Sequence, residues 1–199
     1  MFPSTQYRLY AWAAMLSGLF IIVKKLVIEL LFPPAAATNV VGTLGLLMGL
    51  FALTGVYSYQ REASSKSGLV SYIVIWFGLG AASGADYARN YIFLYMSNSE
   101  LQALLAGPTK LVLVSSSLFF LVGVILFSVS AFRARVFPRL AVLLFLVGFT
   151  LFSLSFLLPV VVSRAGEVVG ALGVIWLGYA MWAAIRKTAM IQPGQPVHA

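Results

Sequence analysis

LAVLLFLVGFTLFSLSFLLPVVV, residues 140–162, carries no charged side chain. It is long enough to cross a hydrocarbon core of about 30 Å, which takes about 20 predominantly apolar residues as a helix. The run lacks the apolar-polar alternation of a barrel strand, so a helix is the way its backbone can be satisfied in lipid. Five further stretches read the same way: residues 9–32, 40–57, 68–95, 111–132 and 168–185. The composition agrees, with 61% hydrophobic and 9% charged residues over 199, where soluble domains are roughly one-quarter charged. The expected fold is an all-α integral membrane protein: one compact bundle of six transmembrane helices over residues 1–187, then a flexible tail, residues 188–199.

Basic residues in short connections stay on the cytoplasmic side. Arg8, Arg61, Lys66, Arg133, Arg135, Arg139, Arg186 and Lys187 fall in alternate gaps, with Glu62 as the one acid among them. The other gaps hold the Pro33-Pro34 turn, residues 96–110 and a short turn around Arg164 and Glu167. An even number of spans then puts both termini in the cytoplasm of a bacterial-type inner membrane, with the first helix an uncleaved signal anchor. The formal net charge of +8 reflects this bias and calls for no nucleic-acid partner. A basic rim of this kind attracts anionic membrane lipids.

Helix boundaries have local causes. Pro33-Pro34 follows the first span, Pro108 precedes the fourth and Pro138 opens the fifth, positions where a missing backbone donor is tolerated. Ser97 and Glu100 have capping-box spacing, Leu101, Leu104 and Leu105 share one helical face, and Gly107-Pro108 ends the turn. This predicts a short helix at the outer interface. VVGTLG opens the second span and VVGALG the sixth, a hint that the first and third hairpins are parallel repeats.

Small residues mark close helix contacts in lipid. Gly42, Gly45 and Gly49 on the second span, Gly80 and Gly84 on the third, and Gly170 and Gly173 on the sixth are the predicted packing stripes. The spacing of Gly45 and Gly49 also suits a homodimer, although contact inside the bundle is preferred. Tyr7, Tyr10, Trp12, Tyr57, Tyr59 and Trp182 suit an inner aromatic belt, and Phe32, Tyr91, Phe93 and Tyr95 an outer one.

Ionisable groups at membrane depth are functional hypotheses by default. Lys24, Lys25 and Glu29 in the first span, and Asp86 and Arg89 in the third, lie near its outer boundary. Asp86 and Arg89 are three apart and Lys25 and Glu29 four apart, so both can pair along their helices. The lysines can snorkel to water. With Glu100, Lys110, Arg164 and Glu167 these groups make a mixed outer rim that has two readings. One is a set of ion pairs that order helix ends. The other is an outward-facing polar pocket between the first, third and fourth helices, with Asp86 and Arg89 at its core and Lys24, Lys25, Glu29 and Lys110 around them.

Enzymatic chemistry finds little support. The chain has no cysteine, and its one histidine, His198, sits in the tail. No metal or cofactor is expected, since no span offers a ligand set. Ser115, Ser116 and Ser117 lack a base and are expected to bond carbonyls of the preceding turn. The proline-ended first span, YSYQRE at 57–62, FPR at 137–139 and WLGYAMW at 176–182 resemble small uncharacterised six-helix bacterial inner-membrane proteins. The resemblance covers most of the chain and brings no functional residues. In helix count and length the chain is also similar to substrate-capture subunits of energy-coupling-factor transporters, which dock through small residues spaced like Ala13 with Ser17 and Ala14 with Gly18. The leading expectation is a non-enzymatic accessory or structural subunit of a larger membrane complex, with other membrane subunits or a second copy as partners. The alternative is a small-molecule or lipid-binding transport component.

Overall fold

A computed structural model describes residues 4–64 and 66–191; the tail from residue 192, with His198, lies outside the described residues. All regular structure among them is helical. Helix α1 (Ser4–Val23) runs through a π-helical turn (Lys24–Ile28) into a last short turn, α2 (Glu29–Leu31). Helix α3 (Ala36–Gln60) follows the Pro33-Pro34 turn. Helix α4 (Lys66–Tyr87) continues through a second π-helical turn (Ala88–Ile92) and a 3-10 turn (Phe93–Tyr95). Then come the short α5 (Asn98–Ala106), α6 (Pro108–Ala134), α7 (Arg139–Ser153) and α8 (Val160–Ile191). Four helical segments among the described residues are long and apolar enough to cross a membrane: Ala36–Gln60, Lys66–Tyr95, Pro108–Ala134 and Val160–Lys187.

The six long helices form a closed ring in which α1 packs on α3, α3 on α4, α4 on α6, α6 on α7, α7 on α8 and α8 back on α1. Its centre is apolar: Ile75, Val124, Phe127, Val142 and Met181 are essentially inaccessible. Phe145 stacks edge-on against Phe149, with ring centroids 5.1 Å apart. The close approaches occur where glycine removes a side chain. Gly78 lies against the backbone of Phe120, and Gly123 against that of Ile75, so α4 and α6 notch into each other. Gly148 meets the backbone of Gly170 between α7 and α8, and Gly173 meets Phe145 and Ala141. Gly18 and Gly178 bring α1 and α8 together.

The predicted glycine stripes divide. Gly45 packs on Phe20, Ile21 and the Ser17 carbonyl, and Gly49 on Ser17 and Leu79, all inside the ring. Gly170 and Gly173 also face inward contacts. Gly80 and Gly84 have nothing within 4 Å of the position a Cβ would take, because the face of α4 that touches α6 runs through Gly78. Ala13 with Ser17 and Ala14 with Gly18 are all buried within the ring, so their spacing serves internal packing, and the Ser17 hydroxyl donates to the Gly45 carbonyl at 2.7 Å.

Two span boundaries need correction. The uncharged stretch 140–162 is not one helix: α7 stops at Ser153, irregular turns follow, and α8 starts at Val160. Pro159 disfavours helix at the residue before it, while its carbonyl accepts the first bonds of α8, from the Val162 and Ser163 amides. Arg164 and Glu167 therefore lie within α8 and not in a turn. The short connector forms as its capping box requires. The Ser97 amide donates to the Glu100 carboxylate at 2.8 Å, and the Glu100 amide donates back to the Ser97 hydroxyl at 3.4 Å. Leu101, Leu104 and Leu105 are its half-buried face.

Candidate functional site: a charged vestibule at one end of the ring

At the end of the ring away from Tyr7, Tyr59 and Phe137 lies an open cavity of about 430 Å³. The first helix supplies Lys24, Lys25 and Glu29, the α4 end supplies Asp86, Arg89 and Asn90, and α8 supplies Ser163, Arg164 and Glu167. Thr38 and Asn39 of α3 and Ser155 of the turn after α7 complete the wall. No α6 residue contributes, so the cavity lies among the first, second, third, fifth and sixth long helices and not between the first, third and fourth.

Two of the three helices that bring charge to the cavity carry a π turn there. The Glu29 amide donates to the Lys24 carbonyl, and the Phe93 amide to the Ala88 carbonyl, each five residues back. Such turns are rare and concentrate at functional sites. They also alter which side chains meet. Asp86 does not pair with Arg89, the partner expected three residues on. A turn closed by bonds five residues apart holds more residues, so the fourth, Asn90, lies over Asp86 and donates to its carboxylate at 2.7 Å. Asn90 also accepts through its carbonyl from the Asn39 side-chain amide at 3.0 Å, tying α3 to the π turn.

Asp86 takes its counter-charge from Lys24, whose ammonium lies 3.7 Å away. Lys24 does not snorkel. It is 5% exposed, and its stem and ammonium occupy the space where Gly42 lacks a side chain. Gly42 is thus part of the site: any Cβ there would overlap Lys24. Lys25 bridges two acids, Glu29 at 2.8 Å and Glu167 at 3.0 Å, and Arg164 closes the chain onto Glu29 at 3.4 Å. The ion pair expected between Lys25 and Glu29 is therefore present, as one link in a network that joins α1 to α8.

Arg89 lines the cavity with no carboxylate within 4.0 Å among the described residues. Lys110, expected in the same patch, is exposed at the start of α6 and does not line the cavity; the α5 connector separates it in sequence from the α4 end. Glu100 caps α5 and also stays apart. The Ser97 hydroxyl and amide hold its carboxyl below the usual carboxylate range. Ser116 and Ser117 donate to the Val112 and Leu113 carbonyls at 2.8 and 3.2 Å, as expected of serines in a helix. Asn90, inside the third apolar span, was a usable signal, because such amides seek partners across helices; Asn39, one residue before the second span, carried none.

Below the vestibule the walls turn apolar. A narrow space of about 20 Å³ is bounded by Lys24, Asp86 and Glu167 above and by Ile21, Leu46, Leu79, Phe120, Phe149 and Phe152 below. Five of those apolar residues also line a small cavity at the ring centre, about 40 Å³. No group of three or more metal-ligating side chains occurs among the described residues. At the opposite end Gln60 and Ser128 are fully buried, and their side-chain polar atoms have no hydrogen-bond partner among the described residues.

The chain matches no protein-family model, no curated protein and no solved structure.

Proposed function

We propose that this protein crosses a bacterial-type cytoplasmic membrane six times, with both termini in the cytoplasm, and serves as a binding component of a transport system. Its vestibule would open to the outside and hold a small polar molecule or a lipid headgroup. The carrying observation is the cavity of about 430 Å³ walled by charges from α1, the α4 end and α8. A scaffold can fill such a space with Leu, Phe and Gly, and charge at membrane depth is costly unless it has a use. The orientation follows from the basic residues at the opposite helix ends, Arg8 to Lys187, which favour the cytoplasm. Helix α7, with 15 residues, reaches only about 22 Å at about 1.5 Å per residue; the turns after it, through Ser155, would complete that crossing. Parallel hairpin repeats fit the same reading, since Gly45 faces α1 and Gly173 faces α7, each the preceding long helix.

One feature favours the second reading, an accessory subunit of a larger complex. Gly80 and Gly84 leave an exposed notch on α4, which suits the close approach of a partner's helix or of a second copy. Gentle extraction of the tagged protein followed by native mass spectrometry separates the two. The binding reading expects one chain that retains a small molecule or lipid, lost in an Asp86→Ala, Arg89→Ala variant. Stoichiometric protein partners and an empty vestibule would overturn it in favour of the subunit reading.

A further inference from the structure

The vestibule wall holds four cations, Lys24, Lys25, Arg89 and Arg164, against three carboxylates, Glu29, Asp86 and Glu167. Every carboxylate is engaged by at least one lysine or arginine within 4.0 Å. The one positive charge left over falls on Arg89, the cation without a carboxylate partner among the described residues. An arginine in this position presents a planar fork of donors that fits a carboxylate or phosphate oxygen pair. The cavity floor has the opposite character. Past Lys24, Asp86 and Glu167 the lining becomes Ile21, Leu79, Phe149 and Phe152, and it leads toward the apolar centre of the ring.

From this polarity gradient we infer that the vestibule takes an amphiphile with a single negative charge, its anionic head on Arg89 and its apolar end turned into the narrow space beneath the Lys24–Asp86 pair. The inference rests on the binding reading above and names its ligand class. A single anion brings the wall to neutrality. A second negative charge would face Glu29 and Glu167, and a cation would face Arg89 with every carboxylate already engaged. Only the tip of the apolar end enters the ring, because the space below the charges is about 20 Å³ and the central cavity about 40 Å³. Most of the ligand therefore sits in the vestibule, whose volume lies in the usual range for small-molecule sites.

The test uses the full chain in lipid nanodiscs and four probes measured by isothermal titration: octanoate, acetate, octanol and octyltrimethylammonium, each corrected for uptake by empty nanodiscs. Octanoate is expected to bind at least tenfold more tightly than the other three. Arg89→Ala, an exposed position whose loss leaves the packed ring intact, is expected to weaken octanoate about tenfold. Ala82 of α4 also lines the space beneath the charges, and Ala82→Leu, which narrows it, is expected to weaken octanoate and leave acetate unchanged. Equal binding of octanol or the cationic probe, acetate as tight as octanoate, or an Arg89→Ala variant with unaltered affinity overturns the ligand class while leaving a binding vestibule in place. Silence from all four probes overturns the ligand class, and the binding reading falls with it if native mass spectrometry also finds the vestibule empty.

Discussion

At Gly42 the absence of a single methyl group decides where a buried ammonium can lie. The Lys24 stem passes over this residue to bring its charge within 3.7 Å of Asp86. Gly42→Ala is therefore expected to displace Lys24 and destabilise the fold by about 1–3 kcal/mol, the usual range for overpacking a tight site. Gly80→Ala and Gly84→Ala, which meet open space, are expected to be neutral or stabilising by up to about 1 kcal/mol, since alanine is the better helix former. Thermal unfolding of the three variants in one detergent checks the contrast, and equal losses in all three would contradict it. Spacing alone drew all three glycines into one class. It could not distinguish them, because their roles depend on which helix face is turned to a neighbour. The Asp86–Arg89 pairing failed at the same scale for a related reason: it presumed a regular α-helix, and the π turn shifts the partner to Asn90.

Local chemistry made the ends of several elements legible, and tertiary contacts decided the rest. The Ser97–Glu100 box was readable because capping needs only residues three apart, and it brings a pH dependence. Hydrogen bonds from Ser97 hold the Glu100 carboxyl below its ordinary value in the folded chain. A group with a depressed folded pKa contributes its stability above the unfolded value, about 4.3, and loses it as pH falls through the folded value. Amide exchange at Ser97 and Glu100, corrected for intrinsic rates, should thus show protection at pH 6 that fades below about pH 4. Protection unchanged across that range would exclude the carboxylate as the cap. The break between α7 and α8 was hidden by the opposite circumstance. Hydropathy sees a continuous apolar run over 140–162, and Pro159 is the lone signal in it. The packing of Gly148 against Gly170 was equally hidden, since a solitary glycine on α7 acquires meaning only when α8 lies on it.

Composition and the gap charges sufficed for a helical membrane-type protein, and four helices among the described residues have the length and apolarity to cross. The candidate site was legible in part. Lys24, Lys25, Glu29, Asp86 and Arg89 do gather around one cavity, while Lys110 stays outside it and Asn39, Ser155 and Ser163 join from elements that no spacing or charge pattern brings together. What a linear reading lacks is the order of helices around the ring: α8 closes onto α1, so residues more than 130 positions apart share the Lys25–Glu167 bond. A binding role requires that this cavity hold water and open to the outside of a bundle that crosses the membrane six times. The chain has no cysteine, so a single Ser155→Cys substitution puts one thiol in the vestibule wall. Treated with a membrane-impermeant maleimide, intact cells carrying this variant are predicted to be labelled from outside, while a Ser128→Cys control in the buried opposite half stays unlabelled. Labelling of Cys-substituted position 155 only after the cells are permeabilised, or not at all, would contradict the claim.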